Sequence, residues 1–322
     1  MDSAAHDAIP QEDFLETSGP NEAGLVTQRF FAFNTAITLQ AFADERTCLA
    51  AFERVREDAR RFERLFSRTL PHSDIARVNA AGGSAVEIAP DTAKLLECAL
   101  AYCADSAGRF DITMGTAVQL WDLRRAVIPS QDALREAIGH VDWRGVRVWE
   151  DGGRHLAQIN DPQAAIDVGG IAKGWIADSF TQTLIEEGLE NFLINLGGNV
   201  VAHGEKPGGA PWNIGIRDPR EEGAIIGALP IRNASTVASG IYERCCEVDG
   251  KFYHHILSPE TGMPVQTDVA GVTVVADRSI DAEGYSTTLL ALGTAQGLAF
   301  ARKHPAIRKA IFVTRDSNVI ES

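Results

Sequence analysis

The chain has 322 residues, 45% of them hydrophobic, enough to bury a large core as one domain or as two closely packed halves. Its 44 acidic and 30 basic side chains give a formal charge of −14, which excludes a broad nucleic-acid surface because such surfaces must neutralise phosphates. No stretch is apolar enough over its length to span a bilayer, and the five cysteines show no CxxC pair or metal-ligand spacing, so they read as reduced thiols of a reducing compartment.

Residues 1–27 are rich in Asp, Glu, Pro and Gly and hold no apolar run behind basic residues. They read as a disordered lead-in, not a signal peptide, which places the organised part at 28–322 and the protein in the cytoplasm. Phe30 to Phe42 has the β-branched and aromatic content of an opening strand. From Thr47 to Phe66 apolar residues recur at helical intervals. Ser73 or Asp74 caps a short helix holding Ile75, Val78 and Asn79, and Pro90-Asp91 starts another. Gly108 to Gly115 is a loop with an acid and hydroxyls, a composition that serves sites and plain turns alike. Gln131 to Ile138 is a helix, and Val146 to Trp149 with His155 to Ile159 form a hairpin through Asp151-Gly152-Gly153.

The stretch Ala164 to Phe180, AAIDVGGIAKGWIADSF, reads as strand, tight turn and helix start. Gly169-Gly170 permits close backbone approach, the first helix amides lack partners, and Lys173 adds positive charge, a combination that suits a diphosphate. The same spacing serves an ordinary strand-to-helix connection with a solvent lysine. Phe192 to Val201 repeats the design around Gly197-Gly198. Trp212 to Arg217 alternates as a half-buried strand, and Ile225 to Ile256 gives a run of short strands with turns at Ser239-Gly240 and Asp249-Gly250. Val269 to Val275 is a strand, Ile280 to Leu292 a helix, and Ala310 to Val313 the last strand. Strands and helices that do not alternate regularly argue for an α+β fold.

The ordered series of segments resembles the ApbE family of FAD:protein FMN transferases. It comprises Phe33-Asn34-Thr35, Ser73 to Asn79 (SDIARVN), Phe110 to Thr113 (FDIT) with Gly115 and Leu120-Trp121, and Asp167 to Gly174 (DVGGIAKG). It continues with Asn195 to Gly198 (NLGG), Gly215 to Pro219 (GIRDP), Ser239-Gly240 with Tyr242 to Arg244, His255-Ile256 with Pro259 to Gly262 (PETG), and Glu283 with Thr287. The resemblance implies a single ApbE-like catalytic domain over 28–322, with a largely antiparallel central sheet flanked by helices. It also implies binding of FAD, Mg²⁺ on the diphosphate, and transfer of FMN to a threonine hydroxyl of an acceptor flavoprotein with release of AMP.

By the family pattern, Phe33, Asn34, Thr35, Ser73, Asn79, Asp111 and Thr113 line the flavin and adenine pocket. Gly169, Gly170, Lys173, Gly197 and Gly198 face the diphosphate, with Ser239 and Arg244 beside the dinucleotide. The carbonyl of Ala172, Glu283 and Thr287 hold the metal; the last two lie four apart on a helix and so share a face. His255 is the expected base and also borders the nucleotide. Asp167 orients Lys173 or metal-bound water. An acid and a threonine at this spacing, and a lone strand histidine, are also common without any such role.

The chain departs from the family where Met-Gly-Thr is usual at Phe33-Asn34-Thr35, tyrosine at Thr69, an acid at Asn199, and aspartate at Ser258 and Glu283. These departures motivate an alternative, a relative that binds FAD without transfer, as a flavin carrier or slow FAD pyrophosphatase. A redox flavoenzyme is disfavoured by the lack of a GxGxxG fingerprint and of a redox cysteine pair.

Overall fold

A computed structural model of the chain describes residues 14–221 and 223–322. Its first elements are β1 (Leu15–Ser18), β2 (Leu25–Ala32) and β3 (Thr35–Phe42). The one strand expected over Phe30 to Phe42 is instead a hairpin: Phe33 and Asn34 have φ of 53° and 58°, the left-handed pair that a tight two-residue turn requires. Neither is glycine, so the turn left no mark in the composition. The disordered lead-in is also corrected over its described part. Leu15 to Ser18 pair antiparallel with Phe30 to Thr27, and the boundary at residue 28 falls inside β2. Residues 1–13 of that lead-in lie outside the described residues.

α1 (Glu45–Phe66) starts where the Asp44 carboxylate accepts from the Thr47 amide, and its buried stripe of Cys48, Phe52, Val55, Ala59, Phe62 and Phe66 faces the core. α2 (Asp74–Ala80), β4 (Val86–Ile88), α3 (Pro90–Asp105), α4 (Gly115–Val118) and α5 (Gln131–Ile138) follow. β5 (Val146–Asp151) and β6 (Arg154–Ile159) then join β4 in a three-stranded sheet. After α6 (Ala172–Glu186) come β7 (Phe192–Leu196), β8 (Asn199–His203), β9 (Trp212–Arg217), β10 (Ile225–Ile231) and β11 (Ala234–Gly240). β12 (Cys245–Val248), β13 (Lys251–His254), β14 (Val269–Ala276), α7 (Ser279–Ala301), β15 (Lys309–Thr314) and β16 (Val319–Glu321) complete the chain.

Nine strands form the main sheet in the order β1-β2-β3-β7-β8-β11-β14-β15-β16, and every neighbouring pair is antiparallel. This is the α+β architecture, with helices on one face of the sheet. Phe192, Ile194 and Leu196 of β7 point into that helical core with Phe52, Phe62, Ile176, Phe180 and Leu289, whereas Leu193 and Val200 belong to the other face. There the β9–β10 hairpin lays Trp212, Ile214 and Ile231 on Ala202, Ala234 and Val275.

Two further expectations are adjusted. Ala164 to Asp167 is not a strand; it makes one parallel bridge, Met114 with Ala165, and the Asp167 amide donates to the Ile112 carbonyl at 2.8 Å. α7 is broken at Gly293, where φ is 74°, just past the Leu292 end expected for it. The Asp268 carboxylate accepts from the Thr294 amide at 3.0 Å and starts the second half.

Candidate active site

The first turn of α6 is anchored from behind. Trp175 packs edge-on against Phe62 and Phe66 of α1, with ring centroids 5.0 and 5.4 Å apart, and Phe180 adds a third aromatic contact to Phe62. No side chain caps α6; the Ala172 amide donates to the Val168 carbonyl at 2.8 Å, and the dipole at the helix start favours an anion there. Gly169 and Gly170 do not use the left-handed region; what they supply is room. A Cβ on Gly170 would stand 3.1 Å from the Phe110 ring, and one on Gly169 2.9 Å from the Asp167 carboxylate.

Gly174 fixes how α6 meets α7. A Cβ there would lie 2.7 Å from Ile280 Cα, 2.8 Å from the Ser279 carbonyl and 3.0 Å from Glu283 Cβ. From the same helix, Asp178 caps α7: its two carboxylate oxygens accept from the Ser279 and Ile280 amides at 2.6 and 3.0 Å. Burial pushes the Asp178 carboxyl up to about 6, against the pull of those two amides. Replacing Gly174 by alanine is expected to cost about 1–3 kcal/mol through overpacking against backbone, read as a drop of several degrees in Tm. An unchanged Tm would contradict this crossing.

This docking brings Lys173 to Glu283. Their side chains form an ion pair in which the carboxylate is 5% exposed and the lysine 32%. Asn199 Nδ2 donates to the second Glu283 oxygen at 2.9 Å, Ser279 Oγ donates to Asn199 Oδ1 at 2.6 Å, and Ser235 Oγ stands 3.0 Å from Ser279. Buried carboxylates of this kind need such partners to stay charged. Thr287 lies one turn further along α7, half-buried, and Ala172 sits in the first turn of α6. Gly197-Gly198 forms the tight turn of the β7–β8 hairpin, with φ of 61° and 98°, and hands the chain to Asn199. Both glycine pairs therefore converge on one carboxylate.

Two adjacent histidines are sorted by their hydrogen bonds. His254 is buried; its Nε2 donates to the Val265 carbonyl and its Nδ1 accepts from the Ile256 amide, both at 3.3 Å. His255, one residue past β13 and so not within the strand expected, is half-buried and donates through Nδ1 to the Arg244 carbonyl at 3.3 Å. A carbonyl only accepts, so the proton sits on Nδ1 and Nε2 carries the lone pair. Burial first, then the Arg244 charge and, behind it, His254 and Lys173, lower His255 to about 3, against the hydrogen bond to the Arg244 carbonyl.

Other expected residues support the turn before α6. Asp167 does not reach Lys173: it pairs with Arg68 at 3.1 Å and accepts from the Gly169 amide at 2.8 Å. Asn79 clamps Ile166, donating to its carbonyl at 2.9 Å and accepting from its amide at 2.7 Å. Ser73, 1% exposed, caps α2 at the Ala76 amide and donates to the Ser67 carbonyl, so its hydroxyl is spent on the fold and not on a pocket. Asp111 is likewise engaged by Thr113 and the Trp143 amide, and Thr113 is fully buried. The Phe33 amide donates to Glu63, Asn34 is exposed, and Thr35 packs where a Gly197 Cβ would be. Ser239 Oγ meets Ser286 Oγ of α7 at 2.8 Å, and the Arg244 side chain is exposed at the rim.

Sequence reasoning missed Asn199 as a partner of Glu283, Asp178 as the cap of α7, Arg68 as the partner of Asp167, and Glu243. Glu243, exposed at its edge and crowded by protein behind, has its carboxyl raised by burial and drawn back by Lys173, Arg217 and Arg244. Among the described residues no three His, Cys, Asp or Glu side chains gather as a metal cluster.

The ApbE family pattern matches residues 33–312. An FAD:protein FMN transferase of Treponema pallidum is 37% identical over 287 residues, covering 84% of this chain and 78% of the relative. One of Klebsiella pneumoniae is 34% identical over 277 residues, 85% of each chain. The crystal structure of the ApbE protein of Thermotoga maritima superposes with a TM-score of 0.84 at 28% identity, over 92% of this chain and 97% of that one. The Pseudomonas stutzeri flavinyl transferase ApbE gives 0.77 at 26% identity over 96% and 94%.

Proposed function

The chain belongs to the ApbE family, and on that premise we propose that it is an FAD:protein FMN transferase that moves FMN from FAD to a threonine hydroxyl of an acceptor flavoprotein. The observation that carries the chemistry is a histidine with one free ring nitrogen next to a lysine, a buried carboxylate and an uncapped helix start. The threonine oxygen attacks the phosphorus of the FMN half, the bridging P–O bond breaks, and AMP leaves with that oxygen. His255 Nε2 takes the hydroxyl proton. Lys173, Arg244 and the α6 amides hold the diphosphate, and their neutralisation by it relieves the field that depresses His255, which makes the base stronger once FAD is bound.

The donor set fits a hard divalent cation: one nearly buried carboxylate at Glu283, a hydroxyl at Thr287 and the Ala172 carbonyl in the adjoining turn. Mg²⁺ held there supplies charge neutralisation on the diphosphate. With a single carboxylate, the site relies on substrate phosphates to complete the shell, the usual habit of Mg²⁺.

Incubation with FAD and acceptor is expected to yield flavinylated protein and AMP in equal amounts, and neither after chelation with EDTA until Mg²⁺ is restored. Full transfer in EDTA would remove the metal from the site. Mass analysis showing free FMN and AMP without a flavinylated product would favour the hydrolytic relative instead.

A further inference from the structure

On the sheet face away from α6 and α7, the molecule holds a cavity of about 210 Å³. Asn195 of β7, Thr236 of β11 and Thr273 of β14 lie along the sheet, with Arg217 of β9 and Glu243 on the other sides. Along β11 the side chains alternate: Ser235 and Ser239 bond to α7, and Thr236 lies on the opposite face. Thr236 is 4% exposed, and its Oγ1 has no hydrogen-bond partner in the described structure. A buried hydroxyl left unpaired is disfavoured, so the cavity suits a polar occupant, water in the free protein and a polar group of a ligand that displaces it.

The cavity borders the transfer site at Gly198 and Glu243. Gly198 lines it, and the next residue, Asn199, holds Glu283. Glu243 lies in the combined field of Lys173, Arg217, Arg244 and Glu283. The cavity has a volume of about 210 Å³. That is well below the several hundred Å³ of pockets for drug-sized ligands, so FAD is too large for it. A side chain or a bend of polypeptide fits. The transfer has two substrates, and the α6 side already serves the diphosphate.

We propose that this cavity is the docking subsite of the acceptor polypeptide: a polar side chain or backbone amide next to the target threonine bonds to Thr236 Oγ1, while Arg217 and Glu243 hold the segment at the mouth. The inference rests on the transferase reading above and adds where the protein substrate sits. Binding from this face delivers the threonine past Gly198 towards Glu283 and His255, opposite the side on which the diphosphate lies.

The test uses short synthetic peptides, each with one threonine, from which the one that the wild-type chain flavinylates fastest is kept as probe. Thr236→Val keeps the side-chain shape and removes the hydroxyl; it is expected to raise the KM for that peptide about tenfold, the worth of one hydrogen bond. kcat and FAD affinity, read by flavin fluorescence, stay within about twofold. Arg217→Ala, at an exposed position where folding is not at stake, is expected to raise the same KM. Unchanged peptide KM in both variants overturns the proposal, and so does weakened FAD binding with unchanged peptide KM, which would give the cavity to the nucleotide. A wild-type chain that binds no FAD and labels no peptide would instead overturn the transferase reading itself.

Discussion

Glu283→Ala is expected to lower transfer by about three orders of magnitude or more, some 4 kcal/mol of transition-state stabilisation, with the protein still folded. The carboxylate joins three things that no other residue in the site joins: the Lys173 ammonium, the Asn199 amide and, through Gly174, the contact of α6 with α7. Lys173 is part-exposed and can turn to water when the carboxylate is lost, but Asn199 is buried and cannot. The stability cost of the alanine variant is therefore about 1–3 kcal/mol, the penalty of one buried group left unpaired. Glu283→Gln separates the two effects. It keeps the volume and an acceptor for Asn199 and removes only the charge, so it should melt close to wild type and still lose transfer and the thermal stabilisation given by Mg²⁺. A glutamine variant with near wild-type turnover would show that the cation is held elsewhere.

Glu283→Asp sharpens the same point. The family commonly uses aspartate at this position, yet here the α6–α7 crossing already brings Glu283 Cβ within 3.0 Å of where a Gly174 Cβ would stand, so the backbone cannot come closer to restore reach. The glutamate is matched to Asn199, which stands where an acid is frequent: its amide donates to the second oxygen of the longer carboxylate. The aspartate variant should lose the Asn199 bond and weaken Mg²⁺ binding. Two departures that look independent along the sequence are one arrangement in space.

That pairing shows which parts of the molecule were readable beforehand. Helical spacing located α1, α5 and the first half of α7 closely, because each buries a regular apolar stripe or ends at a capping or breaking residue such as Gly293. The β2–β3 turn was invisible because Phe33 and Asn34 adopt positive φ without glycine, held in part by the bond from the Phe33 amide to Glu63, thirty positions away. The family motifs named Lys173, Glu283 and His255, which the structure gathers around one charged cluster. They also named Ser73, Asn79 and Thr113, whose polar atoms are consumed in caps and clamps. A motif records that a side chain is required; burial and partners decide whether a ligand or the fold requires it. Asp178 is the reverse case, an acid on an amphipathic helix whose bonds to Ser279 and Ile280 exist only in three dimensions.

His255→Ala is expected to reduce kcat by about 10²–10⁴-fold, the usual share of a positioned general base, with little change in FAD affinity. His254→Ala should behave differently: both of its ring nitrogens are bonded within the fold and it is 1% exposed, so its loss costs stability first. The pH profile separates a base from a merely structural group. In the free enzyme His255 is lowered from the ordinary value near 6.5 to about 3, so the neutral, proton-accepting form already dominates above about pH 4. kcat/KM for FAD should therefore show no acid limb at 6.5. In the complex with FAD the diphosphate offsets Arg244 and Lys173 while burial, the larger cause, remains, so the limb in kcat should move upward only part of the way and stay below 6.5. For stability the sign is the same for both histidines. Each has a folded value below its unfolded one, so the stability it contributes is complete above about pH 6.5 and drains as pH falls, through about 4 for His254 and about 3 for His255. An acid limb in kcat/KM at 6.5 or above would mean that His255 is not buried beside these cations, and a kcat unaltered by the alanine variant would pass the proton to another acceptor.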